Sequence, residues 1–334
     1  MHEWREDPIT GRWVMIASQR EARPQEFTSA PNRTRMVDCP FCRGHEEQTP
    51  PAVLELPDPE VPGRWRVRVT PNKYPALELP DPNADDRRQG STSAALPPAG
   101  AHEVIIESPT HLSSITELSR SHYCDVLAAY RERMLFWKAR STEGAAPVTS
   151  VFIFKNSGAL AGASLAHLHS QLLAMPAPPP LVAEELAGAA RAFGRAHRCV
   201  YCELLARESA DRTRIVVEGP NFMAFCPYAS RFPLETWIVP TAHASHFETS
   251  RPALLAELAP LVQQLVGRLE QFVEGLAYNY WIHSAPLDAL ESESYHWHIE
   301  IAPRMTTMAG LELGGGWHIN TIAPEDAAAR LRAM

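Results

Sequence analysis

The sequence predicts an α+β fold built twice: two units, residues 1–180 and 181–334, each an antiparallel sheet with helices, in pseudo-duplicated arrangement. Three observations carry this reading. Cys39-Pro40-Phe41-Cys42 is followed by His111 and then His167-Leu168-His169, and Cys199-Val200-Tyr201-Cys202 is followed by His243 and then His296-Trp297-His298. A glutamate stands eight residues before the middle histidine in both copies, Glu103 in one and Glu235 in the other. In each copy the segment between that histidine and the His-x-His reads strand, long helix, strand. The repeat lies in this order, not in general identity between the halves.

The elements follow in order. Residues 12–18, 67–69 and 102–107 are short apolar runs with strand character. Residues 113–140 have Leu118, Tyr123, Leu127, Tyr130 and Met134 at helical spacing behind a Ser/Thr-rich start. Residues 151–154 and 170–174 read as strands. Proline- and charge-rich residues 78–100 read as a surface loop, and Pro176-Ala177-Pro178-Pro179-Pro180 as a stiff linker between the units. Beyond it, residues 182–196 and 252–276 read as helices, the second with Leu255, Leu258, Val262, Leu265 and Leu269 on one face. Residues 214–217, 222–225, 235–239, 278–282 and 297–301 complete the predicted strands.

With 334 residues, 45% hydrophobic and 21% charged, the chain has the make-up of a soluble two-domain protein. A net charge of −8 speaks against nucleic acid or an anionic membrane as partner. No apolar run approaches the roughly 20 residues that span a bilayer, and the polar start Met1-His2-Glu3-Trp4 has no apolar signal region. A cytoplasmic protein is expected. In a reducing compartment paired cysteines are metal ligands or redox groups more often than disulfides. Cys124 and Cys226 read as buried apolar residues.

Two thiols and two imidazoles make a closed tetrahedral zinc site. Two zinc ions per chain are therefore expected, one held by Cys39, Cys42, His111 and His167, the other by Cys199, Cys202, His243 and His296. His45 is an alternative ligand by proximity, but the duplication favours His111; His246 and His283 are alternatives in the second copy. His167 and His169 are two residues apart on an extended segment, so both border one cleft without sharing a position. His167 would hold zinc, and His169 would be free to attack phosphorus as a neutral imidazole. Ahead of them, Asn156-Ser157-Gly158-Ala159-Leu160-Ala161-Gly162-Ala163-Ser164 offers small residues that let backbone N–H groups approach a phosphate, with Asn156 and Ser164 as side-chain donors. Gln171, two residues past His169, could donate to a non-bridging phosphate oxygen.

This Asn-x-Gly-x-x-x-Gly-x-Ser-x-x-His-x-His-Ser-Gln pattern resembles the signature of the galactose-1-phosphate uridylyltransferase family of the histidine triad superfamily. The resemblance spans nearly the whole chain, through Asp7-Pro8-Ile9-Thr10-Gly11-Arg12-Trp13, Cys39-Pro40-Phe41-Cys42, Thr70-Pro71-Asn72-Lys73-Tyr74-Pro75 and Gly310-Leu311-Glu312-Leu313-Gly314. It implies two histidine-triad-like units and ping-pong transfer, with UMP passing from a UDP-hexose to a hexose 1-phosphate through a nucleotidyl-His169 intermediate. It also implies that Arg20, Arg23, Asn72, Asn156, Gly158, Gly162, Ser164 and Gln171 contact nucleotide or phosphates, and that Glu312 contacts sugar, across the interface of a homodimer. Three departures stand out: Leu168 between the histidines where proline is usual, Lys73 after Asn72 where aspartate is usual, and the second Cys-Cys-His-His set. The last, with Ser170, resembles the branch that includes plant ADP-glucose phosphorylase.

The second copy lacks the glycine loop: Leu290-Glu291-Ser292-Glu293-Ser294-Tyr295 precedes His296, and an acidic approach repels phosphate. His298 is accordingly read as structural or substrate-adjacent, and Glu184-Glu185 as a solvated helix face. The favoured expectation is a uridylyltransferase. The alternatives are an ADP-sugar or other nucleoside diphosphate sugar phosphorylase using inorganic phosphate and, outside enzymes, a zinc-stabilised binding scaffold.

Overall fold

The computed structural model describes residues 2–18, 38–79, 99–144 and 146–334. Near the N-terminus β1 (His2–Glu6) and β2 (Trp13–Ala17) form an antiparallel hairpin. The first half continues with β3 (Leu54–Pro57), β4 (Trp65–Pro71), β5 (Ala101–Ile106), α1 (Arg120–Thr142), β6 (Ser150–Ser157) and β7 (His169–Met175). The second half holds α2 (Pro180–Ala196), α3 (Val200–Asp211), β8 (Ile215–Glu218), β9 (Phe222–Phe225), β10 (Thr236–Pro240), α4 (Pro252–Phe272), β11 (Tyr278–His283) and β12 (His298–Pro303). α5 (Gly310–Gly315), β13 (His318–Asn320) and α6 (Pro324–Arg332) close the chain.

The α+β class and the duplication are both realised. Ten strands form one sheet in the order β3-β4-β5-β7-β6-β11-β12-β10-β9-β8, which is one five-strand pattern laid down twice, back to back. The two expected sheets join because β6 and β11 pair antiparallel, with Tyr278 opposite Ser157 and Ile282 opposite Ile153. Each strand would otherwise present a row of unpaired backbone groups. The second, three-stranded sheet adds β13 to β2 in parallel.

Alternation along the strands sorts the two faces of the large sheet. On one face Tyr123, Leu127, Tyr130 and Met134 of α1, with Leu255, Leu258, Val262, Leu265 and Leu269 of α4, pack against Val67, Ile105, Leu172, Ile282 and Ile299 in a single core. Residues 113–140 divide because Ile115–Glu117 forms its own 3-10 turn, with Ser114 and Glu117 in a reciprocal cap, before Ser119 caps α1. On the opposite face of the second half, Tyr201, Leu204 and Leu205 of α3 cover Phe225, Trp237 and Val239. α3 is absent from the predicted elements: Cys199 is its N-cap, and the metal-ligand spacing hides the helical run of buried Tyr201, Leu204, Leu205 and Glu208.

Pro180 is the first residue of α2, where its missing N–H loses no bond, so the proline run is both connector and helix start. The predicted loop 78–100 falls mostly outside the described residues, and its ends bridge at Glu78 and Ala99. Cys226 is fully buried, its thiol pushed up to about 12 by burial, whereas Cys124 is only half-buried. No helix among the described residues is long and apolar enough to cross a membrane.

Candidate active site and metal centres

Residues far apart in sequence converge at the mouth of β7. The Cys39–Cys42 turn, the loop after β5 and the residues entering β7 bring Cys39, Cys42, His111 and His167 together, their ligand atoms within 4.8 Å of one another. Cys39 Sγ lies 3.5 Å from His167 Nδ1, and Cys42 Sγ lies 3.7 and 3.6 Å from Nδ1 of His111 and His167. Zinc–sulfur and zinc–nitrogen bonds at tetrahedral angles imply sulfur–nitrogen edges of roughly 3.6 Å. These three sulfur–nitrogen edges match those of a tetrahedral ion. The backbone carbonyl of Ser108 accepts from His167 Nε2 at 2.8 Å, which leaves Nδ1 as the ligand nitrogen. Burial pulls the His167 imidazole down to about 4, so it stays neutral. His45 donates from Nδ1 to the Cys39 carbonyl at 2.8 Å and braces the turn instead of replacing His111.

The second group, Cys199, Cys202, His243 and His296, is gathered as tightly, within 4.8 Å. Cys202 Sγ is 3.4 Å from His243 Nδ1 and 3.8 Å from His296 Nδ1, and His243 donates from Nε2 to the Ser292 carbonyl at 2.8 Å. Cys199 is pulled down to about 4, chiefly by its hydrogen bond with Cys202 and further by His296. The acidic stretch before His296 serves the local fold, since a Glu291 carboxylate oxygen accepts the Ser245 N–H at 2.5 Å. Both groups could hold a metal ion, and the first lies beside His169, since His167 belongs to it.

His169 opens β7 on the face opposite α1. Its neighbours Ser170, Leu172 and Ala174 point to the α1 side, so His169 and Gln171 share the other face. The His167 carbonyl accepts from His169 Nδ1 at 2.7 Å, and the lone pair is therefore on Nε2. Burial lowers the pKa of His169 and favours the neutral ring. Phe41, between the two thiols, packs its ring 5.3 Å from that of His169 and 5.9 Å from that of His167, tying the cysteine turn to both histidines. In the second copy His298 makes the matching bond to the His296 carbonyl at 3.1 Å, but Trp237 stacks on it at 4.9 Å and Tyr201 lies at 5.3 Å. The duplicated histidine is sealed under aromatic rings.

Between β6 and β7 a 3-10 turn, Ala159–Ala161, is framed by Gly158 (φ 83°) and Gly162 (φ 85°). Both positions need the left-handed backbone, and a Cβ at Gly158 would stand 2.9 Å from Ala277. Asn156 lies near the end of β6 with its Oδ1 accepting from Asn279 at 2.7 Å, beside Gly162. Ser164 lies on the approach to His167. Asn72 and Gln171 meet around His102, whose Nε2 lies 3.1 Å from the Asn72 amide nitrogen and 2.8 Å from Gln171 Oε1. Glu312 sits in α5, where its carboxylate accepts the Ala309 N–H at 2.9 Å. Arg20 and Arg23 lie outside the described residues.

Behind His169 lies a buried polar network that sequence reasoning missed. Lys155 Nζ donates to Glu107 at 2.7 Å and to the His169 carbonyl at 3.0 Å. Glu107 also accepts from Ser170 and, at 2.9 Å, from Tyr130, which bonds Tyr280 at 2.6 Å. The signal was present: a lysine within the strand Val151–Phe154 extended by one residue, and a glutamate ending the preceding apolar strand. Replacing Lys155 with methionine should destabilise the metal-loaded protein by about 3–5 kcal/mol, because Glu107 is left buried without a counter-charge. Adding Glu107→Gln should recover part of the loss. Urea unfolding measures both, and a change under about 1 kcal/mol for Lys155→Met would refute the pairing. Glu103, marked by the repeat, is likewise a structural anchor, held by Arg133 at 2.6 Å and Trp137 at 3.1 Å.

The reading of Glu184-Glu185 as a solvated face holds for one residue only. Glu184 is exposed and pairs with Arg12 at 2.7 Å, but Glu185 is buried, accepting from His283 at 2.9 Å and Tyr295 at 3.1 Å. A one-residue step along α2 turns the side chain inward. Glu185, His283, His298 and Glu300 form a third group whose donor atoms lie within 4.8 Å and could also hold a metal ion. There Glu300 is already paired with Arg231. His283 is thus engaged away from the second cysteine pair, as is His246, whose Nδ1 is 3.1 Å from Glu248.

Comparison with known proteins places this geometry. Residues 81–334 match the model of a domain of unknown function, DUF4921. ADP-glucose phosphorylase of Arabidopsis thaliana is 33% identical over 99% of this chain and 93% of its own length. Galactose-1-phosphate uridylyltransferase of Thermotoga maritima is 26% identical over 99% of this chain and 98% of its own. A crystal structure of an ADP-glucose phosphorylase from Arabidopsis thaliana with bound ADP-glucose superposes with a TM-score of 0.84 at 32% identity, covering 100% of this chain and 99% of that one. A uridylyltransferase mutant superposes with a TM-score of 0.75 at 26% identity, covering 100% and 97%. On these grounds the chain belongs to the DUF4921 family and to the galactose-1-phosphate uridylyltransferase family of nucleotidyl-transfer enzymes and phosphorylases.

Proposed function

We propose that this protein is an ADP-sugar phosphorylase that works through a nucleotidyl-His169 intermediate. The observation that carries the chemistry is the locked ring of His169: with Nδ1 bound to the His167 carbonyl at 2.7 Å, Nε2 is the available lone pair, on the face it shares with Gln171. Nε2 attacks the α-phosphorus of the nucleoside diphosphate sugar. The bond from that phosphorus to the bridging oxygen breaks, and the electron pair leaves with the sugar 1-phosphate. An oxygen of inorganic phosphate then attacks the same phosphorus, the P–N bond breaks, and the nucleoside diphosphate departs with His169 neutral again. The loop framed by Gly158 and Gly162, with Asn156 and Ser164, would hold the phosphates, and Gln171 would donate to a non-bridging oxygen. Arg20, Arg23 and Asn72 complete the proposed nucleotide contacts, and Glu312 the sugar contact. Zinc at Cys39, Cys42, His111 and His167, and a second zinc at Cys199, Cys202, His243 and His296, would hold the segments that carry these groups.

Greater identity to the phosphorylase over nearly the full chain supports phosphate over a hexose 1-phosphate as acceptor. Exchange of UMP between sugars, the first expectation from the sequence, is the second reading, favoured by the match to the uridylyltransferases. We divide the chain at residue 180 into a catalytic and a supporting unit. We assign it to the reducing cytoplasm, because four of its cysteines, none in a disulfide, must stay thiolates to bind metal. The homodimer belongs to this reading too, supported by Leu313, 73% exposed beside Glu312.

Incubation of the metal-loaded protein with ADP-glucose should give an acid-labile adenylyl adduct and glucose 1-phosphate, and added phosphate should release ADP. Intact mass in alkaline solution reads the adduct. A uridylyl adduct that reacts with hexose 1-phosphate but not with phosphate would favour exchange; no adduct from either sugar nucleotide would sink both readings.

A further inference from the structure

The geometry points to His102 as a positioning residue that sets the orientation of the Gln171 amide, and this rests on the catalytic reading of His169 and Gln171. His102 sits in β5 beside β7, on the same face as Gln171, because Val104, two residues along β5, is paired directly with Gln171. Its ring has two neighbours that decide the tautomer. The backbone N–H of Ala76 donates to Nδ1 at 3.1 Å, and a backbone amide can only donate. Nδ1 therefore holds the lone pair, and in the neutral ring the proton is on Nε2. That proton needs an acceptor. Asn72 Nδ2, 3.1 Å away, offers only hydrogens, because the Asn72 carbonyl oxygen is fixed by the Tyr74 N–H at 2.9 Å. Gln171 Oε1, at 2.8 Å, is left as the acceptor.

The consequence falls on Gln171. A glutamine amide is two-fold ambiguous, and only one orientation presents N–H groups to a phosphate oxygen. By binding Oε1, His102 holds the NH2 end toward the site. Turned over, Gln171 would meet the developing negative charge with a carbonyl oxygen. Through Ala76 and Gln171 the same ring ties the turn at 72–76 to β7, and the His102 backbone carbonyl accepts the Asn72 N–H at 2.8 Å, which keeps Asn72 beside Gln171.

Two substitutions separate this role from a mere brace. His102→Gln keeps a donor where Nε2 stands and gives up the Nδ1 acceptor; His102→Asn keeps an acceptor for Ala76 and gives up the donor. Orientation of Gln171 predicts that His102→Asn lowers kcat on the order of 10- to 100-fold, with KM for ADP-glucose within about threefold. It predicts that His102→Gln stays within about fivefold of the parent, and that His102→Asn adds little to Gln171→Ala. The reverse order of the two variants, or a fully active His102→Asn, overturns the inference. Nitrogen-15 spectra of the imidazole are independent of turnover: a proton on Nε2 supports the assignment, and a proton on Nδ1 defeats it. If the parent protein forms no nucleotidyl adduct, the catalytic reading fails, whereas these spectra still decide which atom of Gln171 the ring holds.

Discussion

His169→Gly should abolish turnover, by at least about 10⁴-fold, with fold and bound metal unchanged. The geometry makes the test clean. His169 contributes its Nδ1 hydrogen bond to the His167 carbonyl and a ring contact with Phe41, but no atom to either cysteine–histidine group. The metal-site edges therefore survive its removal. The backbone carbonyl that Lys155 grips at 3.0 Å also remains, so the buried Lys155–Glu107 pair keeps its partner. What is lost is the proposed nucleophile with that one hydrogen bond and one ring contact, and the protein should still bind sugar nucleotide while forming no covalent adduct. The predicted pattern is near-parental binding by calorimetry, parental metal content, no adduct by mass, and rate constants at background. Residual turnover within about 100-fold of the parent would mean that another group attacks phosphorus. The sealed His298, beneath Trp237 and Tyr201, is a poor substitute.

Much of this arrangement was readable in the chain, because spacing and residue type are set directly by coordination chemistry and by the periods of strand and helix. The two Cys-Cys-His-His groups assemble from the residues that their order singled out, and nine of the ten strands of the large sheet lie on the apolar runs, the short edge strand Leu54–Pro57 being the exception. What escaped depends on which way a side chain turns. Glu185 differs from Glu184 by one step around α2, and nothing in a two-residue acidic run says which is buried. Lys155 and Glu107 lie in separate segments of the chain, and their pairing exists only once β5, β6 and β7 are side by side. His102 looked like one more strand residue until Ala76, Asn72 and Gln171 were brought around its ring.

The two metal groups should behave unequally when broken. Cys39→Ser and Cys202→Ser should each reduce the metal content from two ions per chain to one, measured by native mass spectrometry. Loss of the first ion should lower kcat on the order of 100-fold, because His167 is both a proposed ligand and, through its carbonyl, the group that holds the His169 ring. Phe41, between the two thiols, also rests on His169, so a loosened cysteine turn frees that ring from two sides. Loss of the second ion unties α3 from His243 and His296 and should lower stability by several kcal/mol, with activity per folded molecule within about threefold. The stripped protein should carry a pH signature as well. In the metal-free fold burial brings His167 down to about 4 from an ordinary 6.5, so the unfolded chain binds the proton first. The contribution is present above about pH 6.5 and is lost as the pH falls towards 4, so the urea midpoint of metal-free protein should drop through that window. Cys202→Ser silencing catalysis while Cys39→Ser leaves it intact would reverse the assignment of the working half. The structure argues against that outcome through one asymmetry: the first His-x-His carries a ring on the face it shares with Gln171 and His102, and the second carries its ring under Trp237.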